Sequence, residues 1–363
     1  MGHPWDQPAP ERPGRPSVWA ALPEDFAAQG APGRPEHLFT QLQHPWAWRE
    51  GHPFLAKATR TWLSAAFETH LPEVVERHPS EDGSTKLVLA LQDGQRIEAV
   101  HMPRAVRSPR VTLCLSSQVG CAMGCAFCAT GKMGLLRNLQ AWEIVEQVRA
   151  FREELPKLHH IRSVVFQGMG EPLANFEQVV AAIAVLSEPH GLAIERRSIT
   201  VCTSGLAPGI LRLAREAPSV RLGVSLGSLD PQKRRELMPV SSRYPLAEVL
   251  AAAAEHARVT HHAPMFAFTL LAGVSDRDED ADALCRLSAD FAAASGVRPR
   301  ISLIPFNPID ATELQRPTMA RIAAFRDRMA AGGVHAILRY SGGGTVGAAC
   351  GQLAPNQPAP SPG

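Results

Sequence analysis

No stretch of this 363-residue chain holds the roughly 20 consecutive apolar residues that a bilayer-spanning helix needs. Its proline-rich beginning also lacks the charged-then-apolar order of a signal peptide. No membrane partner is therefore expected, and the cytoplasm is the default location. An excess of either charge is missing too, since 37 Lys and Arg face 35 Asp and Glu for a net charge of +2. That balance neither demands nor excludes nucleic acid. An RNA-binding surface has to come from local clustering, for which Arg104, Arg107 and Arg110 are the candidate, with a solvated face as the alternative. Seven cysteines, three of them close together, would make an odd disulfide framework. With 45% hydrophobic residues there is chain enough for one large core, or for one core and a small appendage.

What is present is concentrated between Ser116 and Gly131, which read SSQVGCAMGCAFCATG and hold Cys121, Cys125 and Cys128 in a CxxxCxxC spacing. Thiolates suit zinc or an iron–sulfur cluster, and a structural zinc would want a fourth ligand at a second paired spacing, of which the sequence has none. A cubane held by three cysteines leaves its fourth iron open to a small molecule. The spacing, on a loop after a first strand, resembles that of the radical S-adenosylmethionine (SAM) enzymes. There a 4Fe–4S cluster binds the amino acid end of SAM and cuts it reductively to a deoxyadenosyl radical. A half-filled zinc site or three buried thiols is the alternative. A labile cluster needs a reducing compartment, in keeping with the cytoplasm.

Residues 1–35 and 351–363 are crowded with proline, glycine and alanine, which predicts a disordered tail at each end. Residues 36–105 read as a small N-terminal accessory domain. It is helical to about residue 80, with Phe54, Ala58, Trp62 and Phe67 at helical spacing, and then forms a β-hairpin over 85–102 that turns at Asp93-Gly94. From Arg110 onward strand and helix alternate. Strands are expected near 111–116, 162–167, 198–203, 220–225, 265–271, 300–304 and 335–340, and helices over 139–152, 175–187, 246–257, 276–294 and 317–331. Such alternation implies a parallel sheet with helices outside. Over 106–350 the expected fold is an α/β partial (β/α)6 TIM-like barrel of the radical SAM type, with the N-terminal helical domain and hairpin attached.

Barrels keep their sites at the C-terminal ends of strands. Gly168-Met169-Gly170-Glu171-Pro172, Cys202-Thr203-Ser204-Gly205, Ser225-Leu226-Gly227 and Ile304-Pro305-Phe306-Asn307-Pro308 all stand at such ends. Gly168 and Gly170 would let backbone approach a ligand, and Glu171 could accept a hydrogen bond from an ammonium group, although a plain turn before a helix reads the same way. Of the other cysteines, Cys114 lies inside the first barrel strand, Cys285 in a helix and Cys350 in AACGQL. Taken singly, each reads as a buried small hydrophobe.

RIEAV, CLSSQVGCAMGCAFCATG, GMGEPL, TSGLAP, SLGS, LMPV, IPFNP and AACGQL come in one order across residues 36–353. In that order they resemble the RlmN/Cfr family of radical SAM RNA adenine methyltransferases. The resemblance implies methylation of an adenine carbon in rRNA or tRNA. One SAM methylates Cys350, a second SAM at the cluster supplies the radical, and the RNA is joined covalently to the enzyme before release. It assigns Glu98 as the general base, Cys114 as the resolving thiol that forms a transient disulfide with Cys350, and Cys121, Cys125 and Cys128 as cluster ligands. Without the resemblance Glu98 reads as a surface carboxylate. The implied SAM pocket comprises Gly170, Glu171, Cys202, Ser225, Leu226, Gly227 and Asn307. A flavodoxin- or ferredoxin-type electron donor and a monomeric enzyme are also expected.

Several positions depart from the family pattern. Cys202 stands for a usual serine, Gly227 for histidine, Ala267-Phe268 for Glu-Tyr and Ser275 for asparagine. Gly342-Gly343-Gly344-Thr345-Val346 stands for Arg-Gly-Asp-Asp-Ile. These changes spare the cysteines and point to a branch with its own RNA target, and the glycines predict a mobile approach to Cys350. Two other readings stay open: a radical SAM enzyme acting at adenine carbon 8 or on a substrate other than RNA, and an inactive RNA-binding protein that keeps its cluster for stability.

Overall fold

In the computed structural model of the protein, the described residues are 15–43, 55–103, 109–155, 159–310, 312–339 and 342–357. Short runs of β-branched and apolar residues make twelve strands: β1 (Glu73–Pro79), β2 (Thr85–Ala90), β3 (Arg96–Pro103), β4 (Arg110–Leu115), β5 (Gln118–Gly120), β6 (Leu135–Asn138), β7 (His160–Phe166), β8 (Ile199–Thr203), β9 (Arg221–Ser225), β10 (Met265–Leu270), β11 (Arg300–Pro305) and β12 (Ile337–Leu338). Ten of them form one sheet in the order β1-β2-β3-β4-β7-β8-β9-β10-β11-β12, while β5 and β6 pair separately. From β4 to β12 every neighbouring pair is parallel. The six strands β4 and β7 to β11 are the expected barrel staves. Buried on both faces, they read as near-continuous apolar runs such as VTLCL and MFAFTL.

Each of these strands lies within about two residues of its expected place, because alternating βα text carries both turn and periodicity signals. The five expected helices are found at Ala141–Glu154, Phe176–Ser187, Leu246–Thr260, Asp278–Ser295 and Met319–Ala331. Among the described barrel residues the helices Ala207–Glu216 and Pro231–Leu237, and the short Ala129–Met133, were not anticipated; the first two are the longer ones. Both begin with proline in the first two positions, which suits a helix start but reads as a turn in sequence. Among the described residues no helix is long and apolar enough to cross a membrane.

The N-terminal third departs most from expectation. Residues 15–35 are folded, with Trp19 and Phe26 buried. Pro23 and Pro35 each open a short helix, so part of the proline content that suggested disorder marks helix starts. The Phe26 ring meets Phe67 edge-on at 5.4 Å and Trp62 at 6.4 Å. Trp19 donates to the His70 carbonyl at 3.0 Å and lies 3.9 Å beneath the Arg149 guanidinium. Within the helix Lys57–Ala66, Trp62 packs inward while Ala58 is exposed. Phe54, Arg104 and Arg107 lie outside the described residues, as do 1–14 and 358–363.

Residues 73–79, expected to be helical, form β1, whose Val74-Val75 pair suits an edge strand paired with β2. The hairpin of β2 and β3 turns at Asp93-Gly94 as expected. It does not stand apart, since β3 pairs antiparallel with β4 across the boundary drawn at residue 105. Residues 351–357 are no loose tail either. The Gln357 amide donates to the Arg96 carbonyl and accepts from the Arg96 N–H, both at 2.8 Å.

Because the N-terminal segment shares the core, Phe26→Ala is expected to lower the unfolding free energy by about 3 kcal/mol in urea denaturation. An unchanged midpoint would mean that residues 15–35 are dispensable.

Candidate active site

The cysteine loop leaves β4 at Leu115 and is clipped at once to its neighbours. The Ser116 hydroxyl donates to the Glu98 carbonyl at 2.6 Å and accepts from Met169 N at 2.8 Å, while Ser116 N donates to the Gln147 side chain at 2.8 Å. Gly168 lines the cleft formed here, and a Cβ on it would lie 2.6 Å from the Leu115 carbonyl oxygen, so glycine is also needed for contact with chain. Farther along, Ala126 N donates to the Leu237 carbonyl at 2.9 Å and Ala129 N to the Gly351 carbonyl at 2.7 Å.

This bracing turns Cys121, Cys125 and Cys128 into one cleft of about 130 Å³, which Gly170, Glu171, Cys202, Ser225, Asn307 and Cys350 also line. All three thiols are free. Burial, reinforced by one another's negative charge, pushes Cys121 and Cys125 well above the usual thiol range; burial also raises Cys128. Three buried thiols that disfavour one another's ionisation make a donor set suited to a positively charged iron–sulfur core. Among the described residues no three such side chains converge closely enough to hold a single metal ion. Three cysteines from one loop can each serve one iron of a cluster, so the residues fit that group.

Glu171 is buried and engaged. One oxygen accepts from Leu173 N at 3.1 Å, and the other from Ser204 N at 2.7 Å and the Ser204 hydroxyl at 2.8 Å. Burial raises its pKa against these bonds. Leu226 and Gly227 do not line the cleft. Leu226 is fully buried, and a Cβ on Gly227 would lie 2.4 Å from the sulfur of Met238, which lines the cleft instead. With φ at +67° as well, a histidine at 227 is excluded unless Met238 moves.

Cys350 lies on a segment docked between β3 and the cysteine loop. The Asn307 amide donates to the Cys350 carbonyl at 3.0 Å, the Gly343 N–H to Asp82 at 2.8 Å, and the Thr130 hydroxyl to the Leu353 carbonyl. Within the run Gly342-Gly343-Gly344, the Gly343 N–H thus ties the approach to Cys350 to the turn before β2. A Cβ on Gly342 would stand 2.3 Å from the Ser84 hydroxyl, so glycine there permits close packing. Cys350 also lines a second, smaller cavity of about 20 Å³, whose walls include Cys114, Gln167 and Arg339. Cys350 therefore faces the cluster cysteines on one side and Cys114 on the other. Burial raises the Cys114 thiol, and the nearby Cys350 adds to the shift.

Glu98, read without the family as a surface carboxylate, is buried in mid-strand with a side chain only 3% exposed. Lys86 Nζ lies 2.7 Å from one of its oxygens, and Ala354 N donates to the other at 2.9 Å. Burial raises its pKa, opposed by Lys86 and by the Ala354 N–H. It lines neither cavity and is covered by the segment that carries Cys350.

Two cations escaped the sequence reading. Arg234 is 1% exposed and among the described residues meets no carboxylate, donating instead to the Leu226 and Ser204 carbonyls at 2.9 Å and to the Ser241 hydroxyl. Burial pulls its pKa down to about 10, while the neighbouring Cys125 raises it. Arg339 donates to the Gln167 side chain at 2.7 Å, beside Cys114 and Cys202. Neither belongs to a motif; the one available signal was an arginine in the same stretch as the LMPV text and another just past a strand.

Residues 115–284 match the model of the radical SAM superfamily. With the barrel strands and the three-thiol cleft, this defines the class: a radical SAM enzyme, which implies an iron–sulfur cluster and SAM. A crystal structure of a radical SAM methyltransferase from Sphaerobacter thermophilus superposes with a TM-score of 0.81 at 38% identity, covering 93% of this chain and 99% of that one. A probable RNA methyltransferase of Sorangium cellulosum is 53% identical, over 82% of this chain and 81% of that protein. The dual-specificity RNA methyltransferase RlmN of Syntrophobacter fumaroxidans is 41% identical, over 82% and 84%. The chain belongs to the RlmN family of radical SAM RNA methyltransferases.

After anaerobic reconstitution, Cys125→Ala is expected to fall well short of the about four irons per chain bound by the parent, as read by iron analysis. Gly227→His, overpacked against Met238, should lose about 1–3 kcal/mol of stability in chemical denaturation.

Proposed function

We propose that this enzyme methylates an adenine carbon in RNA, either rRNA or tRNA, by way of a methyl group carried on Cys350. The observation that carries the reading is the position of Cys350 on the wall shared by the cluster-cysteine cleft and the Cys114 cavity. A sulfur so placed can take part in chemistry on both sides without leaving its segment.

As a thiolate, Cys350 accepts a methyl group by displacement. Cys121, Cys125 and Cys128, with Gly170, Glu171, Cys202, Ser225 and Asn307 around them, would hold the cluster and SAM, which would supply a carbon radical able to remove hydrogen from an unactivated methyl and would take back the odd electron left when that carbon joins a ring. That requirement suits an adenine carbon, which is too weak a nucleophile to attack SAM directly. The carried carbon joins the adenine ring, so the RNA is tied to Cys350. Glu98 then takes the ring proton, and Cys114 attacks the Cys350 sulfur, giving a disulfide and releasing the methylated base.

The gap between Cys114 and Cys350 has room for about one water and none for a base. Entry of adenine therefore requires residues 342–354 to shift. The same movement would take the Ala354 N–H from Glu98, leaving Lys86 to hold the carboxylate ionised. Electrons come from an external flavodoxin- or ferredoxin-type donor.

Anaerobic incubation with SAM and reductant should place one methyl on the Cys350 peptide by mass spectrometry, and Cys350→Ala should abolish it. SAM cleavage without that methyl would refute the proposal. Glu98→Gln is expected to slow breakdown of the RNA adduct by about 10²–10⁴-fold. Because Lys86 lowers the Glu98 pKa, Lys86→Met should move the pH dependence of adduct breakdown to higher pH.

A further inference from the structure

Cys202 is one of the thiols that line the cleft together with Cys350, although the family pattern places serine there. It is free, 7% exposed and far from the surface chemistry that ordinarily oxidises thiols. Its sulfur contacts the Gln167 side-chain oxygen at 3.7 Å, and that same oxygen accepts from Arg339 Nη1 at 2.7 Å. Gln167 lines both the cluster-cysteine cleft and the Cys114 cavity. Arg339 and Gln167 therefore neighbour both thiols, Gln167 through its side chain at Cys202 and through its backbone at Cys114.

The sheet register decides which pairs can be joined. Cys114 on β4 stands opposite Val165 on β7, and Val165 stands opposite Thr200 on β8, two residues before Cys202. Two strand spacings put Cys114 and Cys202 at least about 9 Å apart at Cα, beyond the roughly 7 Å that a disulfide tolerates. These two thiols cannot bond each other while the strands hold. Cys350 is on neither strand and lies on the wall between them, so it can meet either one.

We propose that Cys202 is a second resolving thiol, able to take the Cys350 sulfur into a disulfide as Cys114 does. The inference rests on the methyl-carrier role of Cys350 proposed above. In the step, the Cys202 thiolate attacks the Cys350 sulfur, an S–S bond forms and the bond from Cys350 to the carried carbon breaks. Its electron pair leaves with that carbon, which takes up a proton to become the methyl group, and the proton lost from Cys202 passes to solvent. Two thiol sulfurs are oxidised to one disulfide and the carbon is reduced by the same two electrons, so no outside oxidant enters. A Cys114–Cys350 disulfide formed first can reach the same state by exchange, with Cys114 leaving as the thiol. Serine at 202 could do neither.

The test is a single turnover of the reconstituted enzyme on RNA bearing its target, quenched with an alkylating agent, with disulfides mapped and covalent RNA–protein adduct quantified. Cys114→Ala is expected to release methylated RNA and to yield a Cys202–Cys350 peptide. Cys114→Ala/Cys202→Ser, with SAM cleavage measured in parallel and adduct expressed per SAM cleaved, is expected to hold the RNA as adduct, at least 10-fold above the single variant. Adduct accumulating fully in Cys114→Ala, with no Cys202–Cys350 peptide, would overturn the inference and leave the methyl-carrier reading standing. Absence of a methyl on Cys350 and of adduct in every variant would overturn both.

Discussion

The docking of the C-terminal segment against the cysteine loop is the interaction on which the site depends. Asn307 fixes the Cys350 carbonyl, Ala129 fixes that of Gly351 and Thr130 that of Leu353, so a residue remote in sequence is held against the loop of Cys121, Cys125 and Cys128. The loop itself depends on Ser116, which joins β3 to the end of β7 through its hydroxyl. Without these few bonds Cys350 would face neither cavity, and the thiols on the strands would have no partner within reach.

The second constraint is electrostatic. Buried thiols resist ionisation, and a site built from five or more of them would stay protonated in a purely apolar setting. Arg234 is placed beside Cys125 and Arg339 beside Cys114 and Cys202, each held by neutral oxygens. Lys86 does the equivalent for Glu98. A cation fixed in position lowers the cost of the charged form of its neighbour, which suits a reaction that repeatedly makes and consumes thiolates.

The barrel was legible because each βα unit repeats a strand, a small-residue turn and an amphipathic helix, and the four strand-end motifs do lie at one end of one sheet. That Cys121, Cys125 and Cys128 act as one group was legible from spacing alone, and the three do line one cleft. What sequence could not show is set by long-range contact. Trp19 and Phe26 look like part of a proline-rich tail until Phe67 and Arg149 are placed against them. Gly227 reads as a residue lining the cleft until Met238 is seen to stand there in its place. Glu98 reads as exposed because nothing in its own strand reveals that residues 347–354 cover it, and Cys202 reads as a serine replacement because only sheet register brings Gln167 and Arg339 to it.

The central claim is that the methyl group visits Cys350 and loses a hydrogen there before it reaches RNA. Turnover with SAM carrying a fully deuterated methyl group tests it most directly, with mass spectrometry of the modified nucleoside as the readout. The account predicts a product methyl with two deuteriums and one hydrogen, because one deuterium is removed on Cys350 and a proton is added on release. A product that retains all three would show direct transfer and contradict the account.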